Sequence, residues 1–286
     1  MNAAGPPSKT LASPQADGVQ RQGGSESTGA ALIRADGLTL AFGSKVIQHD
    51  LSFQVMPGEV LAIIGGSGCG KSTVLRTLVG LHAPRAGHVW HGEHDLYASE
   101  LDVQDGIKKR LGVMFQAGAL FSSMTVGENV MLPLELHAPA PAAELQTKAR
   151  EKLALVGLED SFDQEPASLS GGMKKRAAIA RALALEPAVL FLDEPSAGLD
   201  PLASARLDAL ILQLREQLGT TVVMVTHELD SLFAVADRAL FLSAEDKTMT
   251  ALGPPRELAD SGPAPVREFL RRGRAEARAD PTPQVS

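Results

Sequence analysis

The chain has 286 residues, 44% of them hydrophobic and 21% charged, an ordinary globular balance that excludes a mostly disordered chain. With 27 Lys and Arg against 34 Asp and Glu, its net charge of −7 argues against an overall basic nucleic-acid binder, and no nucleic-acid partner is expected. The single cysteine excludes an intramolecular disulfide framework and a multi-cysteine zinc site, and suits a reducing compartment.

This length fits about two domains, or one large α/β domain with embellishments. Residues 1–31, rich in Gly, Ser, Pro, Ala and Gln, cannot bury a core, so a disordered tail is expected there. The start lacks a basic segment followed by an apolar run, so no signal peptide is expected. Nor does any segment reach the roughly 18 consecutive apolar residues that span a bilayer. A cytoplasmic chain is expected, and any spanning helices must come from a partner.

The folded region is expected to begin near Leu32. Leu38, Leu40 and Phe42 alternate, as do Leu51, Phe53 and Val55, which predicts short strands. After the Pro57-Gly58 turn signal, Val60 to Ile64 is continuously apolar and suits a strand buried on both faces. A glycine-rich loop and a helix over Ser72–Leu81 follow. Residues 118–182 read as mostly helical, interrupted by the Pro- and Ala-rich stretch His137 to Pro141. Val189–Leu192 and Thr221–Val225 are two more buried strands, with a helix over Leu202–Leu218 between them. Such alternation implies an α/β fold with a largely parallel sheet. Residues 32–264 are taken as one domain. A terminal helix is predicted over 265–278 and a frayed end over 279–286.

Gly65-Gly66-Ser67-Gly68-Cys69-Gly70-Lys71-Ser72 fits G-x-x-x-x-G-K-[ST] without mismatch, between a buried strand and a helix. Glycines let several backbone N–H groups point inward at phosphate oxygens, and the helix N-terminus adds its positive end. Lys71 supplies a point charge to the β- and γ-phosphates, and Ser72 a Mg²⁺ ligand. The whole run and the following Thr73 are candidate nucleotide-binding residues; Cys69 sits at a free position of the loop. Val189 to Leu192 ends in Asp193-Glu194, which places two acids at the carboxyl edge of the sheet. Asp193 is a candidate Mg²⁺ ligand and Glu194 a candidate base that polarises water.

Leu169-Ser170-Gly171-Gly172-Met173 resembles the LSGGQ signature of ATP-binding-cassette (ABC) ATPases. Gln116 resembles the Q-loop residue, Ser196 to Asp200 the D-loop, His227 the switch histidine and Phe42 the aromatic that stacks on adenine. The resemblance covers residues 32–253. It implies a P-loop NTPase with a RecA-like core, an antiparallel β subdomain holding Phe42 and an α-helical subdomain over about 118–182. It also implies a head-to-tail pair, each ATP lying between Lys71 of one copy and Ser170, Gly171 and Gly172 of the other. Asp200 joins the nucleotide-binding set, Gln116 the Mg²⁺ set, and His227 and Lys71 join Glu194 as catalytic residues. Met173 and Phe42 depart from the usual Gln and Tyr.

One cassette per chain and a short separation between loop and signature do not resemble the two-cassette translation factors or the coiled-coil repair proteins. Phe115 to Phe121, Asn129 to Leu134, Met173 and Pro265 to Leu270 look like the ATPase of the Mla phospholipid transport system. That resemblance implies an integral membrane permease docked near Ala119, Leu120 and Phe121, an MCE-domain lipid-binding protein and a small STAS-type regulatory subunit. It implies a peripheral site on the cytoplasmic face of the inner membrane. An ATPase of an amino-acid or organic-solvent transporter, or a non-transport ABC regulator, remains an alternative. The arginines at 267, 271, 272, 274 and 278 suit a solvated helix; by resemblance, this tail packs on the other copy.

Overall fold

A computed structural model describes residue 1 and residues 30–116 and 118–276. The disordered tail expected over 1–31 falls almost wholly outside the described residues. The frayed end at 279–286, Arg278 and the side chains of Arg272 and Arg274 fall outside them too.

Strands β1 (Ile33–Phe42) and β2 (Lys45–Val55) form an antiparallel hairpin turned at Gly43, which has the positive φ of 55° that glycine adopts without a Cβ penalty. Strand β3 (Val60–Gly65) leads into helix α1 (Lys71–Leu78). Next come β4 (Ala86–His91), β5 (His94–Asp95), α2 (Leu101–Lys109) and β6 (Leu111–Met114). Three helices follow: α3 (Val126–His137), α4 (Ala142–Leu155) and α5 (Gly171–Ala182). The rest is β7 (Val189–Asp193), α6 (Pro201–Leu218), β8 (Thr221–Val225), α7 (Leu229–Val235), β9 (Arg238–Leu242), β10 (Met249–Gly253), α8 (Pro255–Ser261) and α9 (Ala264–Glu276).

Among the described residues the strands form a four-stranded antiparallel sheet, β2-β1-β4-β5, and a six-stranded sheet, β10-β9-β3-β8-β7-β6. In the larger sheet only β10 runs antiparallel. Strands β3, β7 and β8 are buried at every position, and alternation divides them between two cores. Val60, Ala62, Ile64, Leu190, Leu192, Val222 and Met224 face the core shared with α3 to α6. Leu61, Ile63, Val189, Phe191, Val223 and Val225 face the core shared with α1 and the four-stranded sheet. Register pairs Met114 with Leu192 and Asp193 with Val225, so β6, β7 and β8 end together at one edge. That edge is where ligands meet open parallel sheets.

Some elements differ from expectation. The helix after the glycine loop stops at Leu78 because Gly80, at φ 81°, takes the left-handed conformation that ends helices. The span from 118 begins as a loop, and its first helix opens at Thr125, whose side chain forms a reciprocal capping box with Glu128. The described part of helix α9 turns Glu268 and Arg271 to solvent and packs its apolar side inward. Val266 and Leu270 are fully buried in the core of α3 to α6, and Phe269 meets Phe241 edge-on at 5.3 Å. No described helix is long and apolar enough to cross a membrane.

Candidate functional site

The glycine-rich loop starts where β3 runs out. Gly65 adopts φ 144°, and a Cβ there would lie 2.4 Å from the Leu242 carbonyl oxygen. Gly70, at φ 102°, is the N-cap of α1 and has no side-chain cap; a Cβ would lie 2.6 Å from Ile47 Cγ2. The first-turn N–H groups of α1 are thus left for a ligand. Lys71 folds back over the loop and donates from Nζ to the carbonyls of Gly65 (3.0 Å) and Gly66 (3.2 Å). An ammonium has a third donor to offer. Cys69 points away from this surface and is buried. Burial pushes its thiol pKa up against the opposing charge of Lys71, so it is a packing residue rather than a reactive thiolate.

The sheet edge brings the acids to the loop. Asp193, buried at the end of β7, accepts a hydrogen bond from Ser72 Oγ at 3.0 Å. The next residue, Glu194, has φ 54°, a left-handed conformation that costs a non-glycine residue of order 1–3 kcal/mol and persists only where its surroundings hold it. Its N–H donates to the Val225 carbonyl (2.9 Å). Its Oε2 lies 2.6 Å from His227 Nδ1, a close contact off hydrogen-bond geometry, and His227 Nε2 lies 3.1 Å from Glu228 Oε1. His227 sits two residues beyond β8, beside Glu194 because β7 and β8 are paired.

Phe42, Gly65, Gly66, Ser67, Gly68, Gly70, Lys71, Ser72, Thr73, Gln116, Glu194 and His227 line one open cleft of about 710 Å³. Phe42, at the end of β1, keeps its ring 52% exposed and tilted against His82 at 4.5 Å. Ser170, Gly171, Gly172 and Asp200 do not line this cleft. They form a separate surface at the N-termini of α5 and α6. Ser170 accepts from Met173 N at 3.3 Å, and Asp200 caps α6 by accepting from Ala203 N at 2.9 Å. A Cβ on Gly171 or Gly172 would meet only Leu199 at 3.6 Å or Ala203 at 3.5 Å, so this end of α5 is loosely covered.

Several residues at the site carry no role in the sequence analysis. Ile47 and Phe269 complete the cleft wall. Gln48 is fully buried, and its Nε2 donates to the carbonyls of Cys69 (2.6 Å) and Ser243 (2.9 Å), tying the loop to β2 and β9. Lys175 is also buried; burial lowers its pKa, while the nearby Glu194 and Asp193 carboxylates oppose that shift. The sequence offers no local signal for Lys175, which stands between Lys174 and Arg176 and reads as one of three solvated cations.

A family model described as ABC transporter matches residues 48–197. The chain is 38% identical over 238 residues to a probable ribonucleotide transport ATP-binding protein of Mycobacterium tuberculosis, covering 83% of this chain and 66% of that one. It is 43% identical over 199 residues to a methionine import ATP-binding protein of Xanthomonas axonopodis pv. citri, covering 70% and 59% respectively. The chain thus spans roughly three-fifths to two-thirds of the length of these relatives. Among solved structures, the dimeric bacterial ABC transporter cassette MJ0796 superposes with a TM-score of 0.71 at 30% identity over 78% of this chain and 98% of that one. The protein cbiO1 of Clostridium perfringens, described as part of the ABC transporter complex cbiONQ, gives 0.74 at 27% identity over 86% and 99%.

Proposed function

Because the chain belongs to the ABC transporter family of ATP-binding cassettes, we propose that it hydrolyses ATP as a head-to-tail pair and so drives a separate membrane permease. The observation that carries this reading is the convergence of Lys71, the Ser72–Asp193 pair and the Glu194–His227 pair on one cleft. The loop N–H groups and the spare donor of Lys71 receive the phosphates, and the exposed face of Phe42 receives the adenine. Ser72 Oγ and Asp193 Oδ1 are hard oxygen donors 3.0 Å apart, which suits Mg²⁺, with Gln116 lining the same cleft. Bound there, Mg²⁺ would neutralise phosphate charge. Glu194 orients the attacking water, and His227 holds that carboxylate and reaches the γ-phosphate. The N-terminus of α5 from the second copy closes over the nucleotide with Ser170, Gly171 and Gly172, beside Asp200. Glu194→Gln is expected to bind ATP normally and to lose about 10²–10⁴ in turnover; wild-type turnover would refute the assignment.

The cargo follows from the Mla-like segments, and we infer phospholipid transport that maintains outer-membrane lipid asymmetry. The segment after Gln116 supports a permease dock there. Asn129 is buried and makes four hydrogen bonds, to both backbone groups of Phe121 and to the carbonyls of Met124 and Thr125. Arg181 donates to the carbonyls of Ala119 and Gly118. The loop is therefore preformed and presents Phe121 52% exposed. The expected partners are that permease, an MCE-domain lipid-binding protein and a STAS-type subunit, at the cytoplasmic face of the inner membrane. The names of the relatives favour a second reading, a small-solute importer. A mild-detergent pull-down with mass spectrometry of proteins and lipids separates them. Permease, MCE protein and phospholipid support lipid transport. A permease with a solute-binding protein and no lipid supports the importer. No membrane partner favours a non-transport regulator.

A further inference from the structure

Lys175 is 9% exposed in α5, five residues beyond Ser170. Its Nζ donates to the Glu194 carbonyl oxygen at 2.8 Å and reaches the Gln116 carbonyl oxygen at 3.4 Å. Glu194 is the left-handed residue of the site, and among the described residues its carbonyl otherwise receives only the long Ala197 N–H contact at 3.4 Å. A strained peptide of this kind keeps its conformation only when neighbours over-determine it. Two of the bonds that do so come from the sheet and from α5, through Val225 and Lys175.

We propose that Lys175 is a positioning residue for ATP hydrolysis, fixing the Glu194 peptide and coupling it to α5 and to the backbone at Gln116. The proposal rests on the reading of Glu194 as the residue that orients water. One helix then carries two functions a turn apart. Its first turn faces the second copy, and its next turn holds the carbonyl of the catalytic carboxylate. A shift of α5 on closure moves the Lys175 ammonium and with it the Glu194 peptide. A buried ammonium is suited to this because it serves two carbonyls at once with three donors.

The test compares steady-state ATPase kinetics and thermal midpoints of Lys175→Met, Lys175→Gln and Lys175→Arg with wild type and Glu194→Gln. Misplacing a catalytic group by about 1 Å costs on the order of 10²-fold, so Lys175→Met should lose roughly that in kcat. KM for ATP should stay unchanged, because an interaction that acts only on the transition state lowers kcat and kcat/KM equally, while loss of one buried hydrogen bond should lower the melting midpoint by only a few degrees. Lys175→Arg, which restores a charged donor, should recover much of the lost turnover. Wild-type kcat in Lys175→Met, or a parallel loss of ATP affinity and stability, would overturn the proposal. If Lys175→Met fails to fold, Lys175→Gln carries the same test, with reduced kcat at unchanged KM expected and wild-type kcat overturning it. Normal turnover in Glu194→Gln would instead fell the reading on which the proposal rests. A dead Glu194→Gln beside a fully active Lys175→Met would fell the Lys175 assignment alone.

Discussion

Helices α1 and α5 both begin at a glycine-serine segment, and neither has an acid in its first turn. Their surroundings differ. The N-terminus of α1 is walled by its own chain, with Ile47 and Gln48 packed against Gly70 and β9 against Gly65. No side chain caps it. The N-terminus of α5 is capped loosely by Ser170 and is largely open to solvent. Helix N-termini favour anions. The α1 end is therefore enclosed by its own chain, whereas the α5 end is open, which suits the proposed closure by a second copy. On the proposed reading, the α1 site is built by folding and the α5 site is completed by association.

Four substitutions sharpen this contrast. Ser170→Arg places bulk and charge where the second copy must close, and should cut turnover by about 10²–10³-fold, as loss of a positioned donor does. ATP binding to the single chain, followed by calorimetry, should be unchanged; a lost ATP affinity would mean that α5 serves its own cleft. Lys71→Ala should weaken ATP binding by roughly 10–100-fold, the worth of a hydrogen bond to a charged group, and unchanged affinity would remove Lys71 from its role. Gly70→Ala meets both a positive φ and the Ile47 methyl, and should lower stability by about 1–3 kcal/mol in denaturant unfolding. Gly171→Ala meets only an ordinary contact with Leu199, so its unfolding free energy should change by less than about 0.5 kcal/mol while turnover falls. Equal destabilisation of the last two would erase the distinction between the two helix ends.

Legibility in the sequence followed the range of the forces involved. The phosphate loop is local, with β3, the glycines and α1 contiguous, so the spacing of its glycines, Lys71 and Ser72 names its residues directly. The acids of β7 were readable because a continuous apolar run ended in them. Gln48 was hidden. Leu51, Phe53 and Val55 point inward at odd positions, but Asp50 at φ 51° shifts the phase and turns Gln48 inward. Strands β5 and β6 were unseen because they are short, β4 because it buries only Val89, and α2 because it buries only Ile107. Phe269 and Lys175 reach the site through tertiary packing, which no periodicity encodes.

The central claim is that two copies complete one nucleotide site, and the solution mass of Glu194→Gln with and without ATP tests it most directly. A chain that binds ATP but cannot turn it over should run as a monomer alone and as a dimer with ATP, with Ser170→Arg in the same background returning it to a monomer. Saturating ATP binding with the mass unchanged would contradict the account.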